Sequence, residues 1–164
     1  MNPVRTVDVV IPVYKPGDEF DSVLKMLSQQ ETPPGKIILM VTVDGEDAPP
    51  VYSCASPPEV HAVRKEAFDH GHTRKLGVSY SDATHVLLMT QDAVPADRFL
   101  ISRLLGAFDT EGVAAAYARQ LPKAECNPAE RYTRAFNYPA ESRIKSSEDL
   151  ETMGIKAFFC SNVC

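Results

Sequence analysis

Three predominantly apolar runs constrain this chain more than any other feature. Residues 7–13 (VDVVIPV), 37–43 (IILMVTV) and 85–90 (HVLLMT) are dense in β-branched and aliphatic side chains. Continuous hydrophobicity, as opposed to strict alternation, suits strands buried on both faces, the situation of a parallel sheet covered by helices. Polar or breaking residues close each run: Pro16-Gly17, Asp44-Gly45 and Gln91-Asp92. Between the first two runs, Asp18 and Glu19 open a segment in which Phe20, Val23, Leu24 and Leu27 recur at helical spacing. Pro33-Pro34-Gly35 ends it. A Pro-rich loop over 48–58 leads to a shorter strand around 60–63, and His70-Gly71-His72 forms a loop before a helix over about 73–81. Phe99, Leu100, Leu104 and Phe108 give a further helix within 96–108, and residues 113–117 (VAAAY) predict a fifth strand. This alternation predicts an α/β fold: a mostly parallel, Rossmann-like sheet with right-handed crossovers, flanked by helices.

From Gln120 the alternation stops, and Pro122, Pro128 and Pro139 punctuate a mixed polar stretch with a short helix over 129–136. The expected organisation is one half over 1–119 and the start of a second over 120–164. With 164 residues, 44% of them hydrophobic and 24% charged, the chain is too apolar for wholesale disorder. A net charge of −5 argues against a nucleic-acid partner, whose phosphates require clustered Lys and Arg. No run approaches the ~20 apolar residues of a membrane span, and the N-terminus lacks the pattern of a signal peptide. Cys54, Cys126, Cys160 and Cys164 show no metal-site spacing and are expected to be reduced thiols of a cytoplasmic protein.

In open parallel sheets, ligands bind beyond the carboxyl ends of the strands. Pro12, Val13, Tyr14 and Lys15 end the first run, Asp44 the second, and Thr90, Gln91 and Asp92 the third of the long ones, while Arg74 lies in the helix that feeds it. Two acids and a cation at these ends suit a nucleotide diphosphate: carboxylates accept from a base or hold a hard cation, and arginine forks onto phosphate. Taken singly, each residue has a plainer role. Asp44 fits a turn, Asp92 a helix cap, Arg74 and the two histidines a solvated surface, and Tyr14 packing at a strand end. Neither GxGxxG nor GxxxxGK[ST] occurs, which disfavours a dinucleotide fold and a P-loop enzyme.

The segments VVIPVYKPGDEFDSVLKMLSQQ, IILMVTVDGED and GHTRKLGVSYSDATHVLLMTQDAVP resemble family 2 glycosyltransferases of the GT-A fold. ARQLPKAE, RAFNYPAES and FFCSNVC resemble, more narrowly, the rhamnosyltransferase branch, which builds cell-surface polysaccharide from dTDP-rhamnose. The resemblance implies that Pro12 and Tyr14 line a base pocket, that Asp44 contacts the pyrimidine, and that Arg74 braces the nucleotide. Thr90-Gln91-Asp92 stands in the place of the family's DxD motif, so Gln91 falls at the nucleotide sugar and Asp92 alone keeps the position that binds Mg²⁺ or Mn²⁺.

The activity implied is inverting transfer of a sugar from a nucleotide diphosphate (dTDP-rhamnose or a UDP-sugar) to a glycan or lipid-linked acceptor at the inner face of the membrane, with peripheral membrane association. No residue matches the family's base motif; Glu141, Glu148, Asp149 and Glu151 lie in a polar stretch, and no base is assigned. The resembling proteins continue beyond FFCSNVC into an acceptor-binding half, so the chain is expected to hold a nucleotide-binding half of a longer enzyme. Phe158, Phe159 and Val163 are expected to favour self-association. Two other readings compete. A nucleotidyltransferase requires a Gly-rich basic loop that the chain lacks, whereas a non-catalytic module that binds nucleotide sugar or scaffolds a synthase is favoured by Thr90 in place of an acid.

Overall fold

The first two long runs form the centre of a four-stranded parallel sheet of order β3-β2-β1-β4, and the third forms its β4 edge, where His85–Leu88 are half-buried and not covered on both faces as the run predicted. Its strands are β1 (Val7–Val13), β2 (Ile37–Val43), β3 (Glu59–Arg64) and β4 (His85–Leu88). The computed structural model describes residues 4–154 apart from 46, 53 and 55. The chain divides into two compact units, Met1–Ala114 and Ala115–Cys164. The sheet belongs to the first, together with α1 (Glu19–Ser28), α2 (His70–Val78) and α3 (Leu100–Ala107); α4 (Pro128–Asn137) and α5 (Leu150–Met153) belong to the second.

Every residue of β2 is buried, as its unbroken apolar run requires. Val10, Ile38 and Met40 face one way into a cluster with Val63, against which Leu76 and Tyr80 from α2 and its end pack. A Cβ on Gly77 would clash with the Val10 Cγ1 atom and lie 3.1 Å from the Met40 side chain, so glycine lets α2 lie directly on the sheet. Val9, Ile11 and Leu39 alternate to the opposite face and are fully excluded from solvent. The right-handed β1–α1–β2 crossover carries α1 to that side, where Phe20, Val23, Leu24 and Leu27 are buried.

Gln30 ties α1 to α3 there. Its amide donates to the Met26 carbonyl at 3.1 Å and the Asp97 carbonyl at 2.9 Å, and accepts from the Ile101 N–H at 3.1 Å. One buried side chain thus satisfies orphan groups at the end of one helix and the start of another. At the amino-terminal edge, the buried Asp8 accepts from the Lys36 N–H and the Ser81 hydroxyl, at 2.8 and 2.7 Å.

Several elements depart from the sequence pattern. The helix expected over 73–81 begins three residues earlier, because the Asp69 side chain accepts from the His72 N–H at 2.7 Å and caps it. His70, Gly71 and His72 are therefore the first helical turn and not a loop. No strand forms at 113–117: its three successive alanines have little to pack on a sheet, and it lies where the two units meet in sequence. The helix expected within 96–108 shortens to Leu100–Ala107, since Asp97 turns the chain before it by accepting from the Phe99 N–H at 2.8 Å. In the second unit α4 follows an Asn127 cap on Glu130 N–H, with Pro128 in its first turn.

Candidate nucleotide site

The chain lays down β1, β2 and β3 in one direction and then returns to place β4 on the far side of β1. The reversal makes the β1/β4 boundary the topological switch point, the place beyond whose carboxyl ends open α/β sheets bind their ligands. Pairing along that boundary runs from Val7 with His85 to Val10 with Leu88, and a last backbone bond joins the Met89 N–H to the Val10 carbonyl at 3.0 Å. Two residues on, the same side of β1 presents Pro12, whose nitrogen has no hydrogen to donate. Proline in a central strand ordinarily costs a ladder bond; here it coincides with the point at which β4 departs. Pro12 still holds its place beside Met40 of β2.

Tyr14 is next on that side, and Gln91 serves it. The Tyr14 N–H donates to Gln91 Oε1 at 2.7 Å, and Gln91 Nε2 donates to the Tyr14 carbonyl at 3.1 Å. A side-chain amide thus stands in for a peptide of the departed strand. Beyond it, Thr90 to Ala93 makes a tight turn, closed at 3.2 Å, that leaves Asp92 exposed.

The ends of the other strands converge on the Tyr14 ring. Lys15 adopts φ of 43°, the left-handed region that favours glycine, and its ammonium lies 2.9 Å from Asp44 Oδ2. Lys65, the residue after β3, places its ammonium 3.3 Å from Asp44 Oδ1. Both ammoniums also sit over the Tyr14 ring, 5.1 and 5.4 Å from its centre, and the Tyr14 hydroxyl donates to Asp44 Oδ1 at 3.5 Å. Lys15 first, then Lys65, holds the Asp44 carboxyl below its ordinary range, while Lys65 and then Lys15 lower the Tyr14 hydroxyl. In turn Asp44 raises Lys15, and Tyr14 with Asp44 raises Lys65.

The structure therefore brings together Tyr14, Asp44 and Gln91 at the carboxyl ends of the strands, with Pro12 two residues before Tyr14 on the same side of β1. Arg74 does not join them by hydrogen bond: half-buried in α2, it donates to the His70 carbonyl of its own helix at 3.1 Å. Lys65 escaped sequence reasoning, although the same strand-end rule points to it, because β3 runs to Arg64, past the expected end at residue 63.

For a divalent cation, the described residues hold no group of three His, Cys, Asp or Glu. Asp92 offers one exposed carboxylate of the hard-oxygen kind that Mg²⁺ accepts, with a ligand's phosphates completing the set. The donor set fits a cation that arrives with a diphosphate and not a preassembled metal centre. Of the four cysteines, Cys54 and Cys126 are free thiols; Cys160 and Cys164, like Phe158, Phe159 and Val163, lie outside the described residues. Of the acids considered as a base, Asp149 is committed to capping, accepting from the Ser146 N–H and pairing with Arg143, each at 2.9 Å. No described helix is long and apolar enough to cross a membrane.

No family model matches the chain. It is similar to the O-antigen chain rhamnosyltransferase RfbN of Salmonella typhimurium, 34% identical over 157 residues, covering 95% of this chain and 50% of that protein. It is similar also to the O-antigen chain rhamnosyltransferase WbaN of Salmonella anatum, 30% identical over 156 residues, covering 94% of this chain and 49% of that protein. The chain spans about half the length of the curated relatives it matches.

Proposed function

We propose that this chain is the donor-binding half of an inverting, GT-A-type glycosyltransferase of family 2, taking rhamnose from dTDP-rhamnose for O-antigen-like polysaccharide. The observation that carries this reading is the meeting of Tyr14, Asp44 and Gln91 at the switch point of the parallel sheet, in a chain similar to rhamnosyltransferases along nearly its whole length. The pyrimidine lies against Tyr14 and is held by Asp44. Gln91 fixes the Tyr14 backbone, so the base platform is rigid before the donor arrives. Arg74 braces the nucleotide from α2 by leaving the His70 carbonyl that it bonds in this structure. Asp92 holds Mg²⁺ or Mn²⁺ together with the diphosphate; when bound, that ion neutralises the departing diphosphate as a Lewis acid. The acceptor, a glycan or lipid-linked glycan, supplies the attacking hydroxyl, and its general base is assigned to no residue of this chain.

Isothermal titration with dTDP and UDP, with and without Mn²⁺, tests the donor site. The reading expects nucleotide binding that Mn²⁺ tightens in the wild type and no longer tightens in Asp92→Ala. Absence of binding to either nucleotide overturns it. Mass spectrometry of products from a panel of sugar nucleotides, using the full-length enzyme and acceptor, then identifies the sugar. Binding without turnover in that assay supports a non-catalytic sensing or scaffolding module instead.

A further inference from the structure

The two groups best placed to meet a base are both covered by the same two lysines. One ammonium sits on each oxygen of Asp44, at 2.9 and 3.3 Å, and both lie over the Tyr14 ring. Two ammoniums against one carboxylate leave the cluster with an excess positive charge in an otherwise acidic chain. These lysine side chains are 70% and 55% exposed. Exposed ion pairs of this sort are weak and exchange readily for a better anion. A diphosphate is such an anion, with more charge and more acceptor oxygens than a carboxylate.

We propose that Lys15 and Lys65 form an exchangeable ammonium pair that binds the diphosphate of a pyrimidine nucleotide and, by moving onto it, uncovers Asp44 and the Tyr14 ring for the base. This rests on the donor-site reading above and adds to it a role for Lys65 and a rule of selectivity. The phosphates unlock base recognition, so a nucleoside without them meets a covered site. Coupling follows from shared partners: any ligand that leaves the lysines on Asp44 must compete with them for the carboxylate. The left-handed backbone at Lys15 aims its side chain back over the sheet edge, toward Asp44. Lys65 reaches the same carboxylate from the end of β3, so the two approach from neighbouring strands.

The test is titration of the wild-type chain and of Lys65→Gln with thymidine, dTMP and dTDP, with Lys65→Arg as the conservative variant and thermal melting as the check on folding. The wild type is expected to bind dTDP at least ~100-fold more tightly than thymidine, corresponding to about two charge-assisted contacts. Lys65→Gln is expected to weaken dTDP about tenfold while thymidine binds as well as before or better, and Lys65→Arg to restore dTDP. Equal weakening of thymidine and dTDP by Lys65→Gln, or no change in either, overturns the exchange. If the wild type binds neither dTDP nor UDP, the donor-site reading itself fails, and the exchange fails with it.

Discussion

The Gln91 amide closes a two-bond ring with the backbone of Tyr14, accepting at 2.7 Å and donating at 3.1 Å. It fills the gap left where β4 turns away from β1, and it couples the end of one strand to the turn that follows the other. Gln91→Leu removes both partners and is expected to lower stability by about 1 kcal/mol, since the half-buried peptide regains only part of its bonding from water. Nucleotide affinity is expected to fall with it, and to fall further in Gln91→Glu, which keeps the acceptor but turns an anionic oxygen on the Tyr14 carbonyl and adds negative charge near the diphosphate. Chemical denaturation and titration of the two variants check the order.

Close packing of α2 gives a second prediction. Gly77→Ala puts a methyl group against the fully buried side chains of Val10 and Met40. Overpacking of this kind costs about 1–3 kcal/mol. Gly17→Ala, at a position with open space around it, serves as the control and is expected to have a small effect. A denaturation midpoint for Gly77→Ala equal to that of the control contradicts the direct contact.

Gln30→Leu keeps the volume of a buried side chain but strands the Ile101 N–H and the Asp97 carbonyl. The expected loss is about 2–3 kcal/mol, the cost of leaving buried polar groups without partners. Hydrogen exchange at Ile101, faster in the variant, reports the site of the damage.

Lys15 lies in left-handed backbone, so substitutions there separate strain from charge. Lys15→Gly and Lys15→Ala both remove the ammonium, but only glycine accepts φ of 43° without strain. The glycine variant is expected to melt a few degrees higher than the alanine variant, with both binding dTDP equally weakly. Differential scanning calorimetry checks the order of the two midpoints.

Acid stability follows from four carboxylates held below their ordinary value of 3.8: Asp44 by Lys15, Asp69 by the His72 N–H, Asp97 by the Phe99 N–H and Asp149 by the Ser146 N–H. A depressed folded pKa means that the unfolded chain binds protons first as the pH falls. Their contribution is therefore complete above the ordinary carboxylate range and lost as the pH drops through it toward the lower folded values. Asp69→Asn retains a capping oxygen without a titrating group and is expected to flatten the acid limb of a stability profile.

How much of this was legible beforehand depends on the range of the forces involved. Unbroken runs such as IILMVTV can satisfy their side chains only inside a two-sided sheet, so β1 and β2 were readable residue for residue. VAAAY carries no such demand, and its strand did not form. The start of α2 turned on one capping bond from Asp69, a local contact that apolar periodicity does not register. Strand-end logic placed Tyr14, Asp44 and Gln91 near one another because topology alone gathers strand ends. It could not show that the Gln91 side chain would pair with the Tyr14 backbone, nor that Lys65 would reach across from β3, since both depend on side-chain conformations. The role expected of Arg74 depends in the same way on its side chain, which here bonds to its own helix.

The central claim is one of place: a pyrimidine nucleotide binds at the carboxyl ends of the strands. The measurement that tests it most directly is an amide chemical-shift titration of the ¹⁵N-labelled chain with dTDP. A small cleft at the amino-terminal edge of the sheet, lined by Ser28, Gly35, Lys36 and Ser56 among others, supplies an internal comparison. The account predicts saturable shifts at Tyr14, Lys15, Asp44, Lys65 and Gln91, with the amides of Ser28, Gly35, Lys36 and Ser56 unmoved. Shifts confined to that opposite cleft, or none at all at saturating dTDP, contradict it.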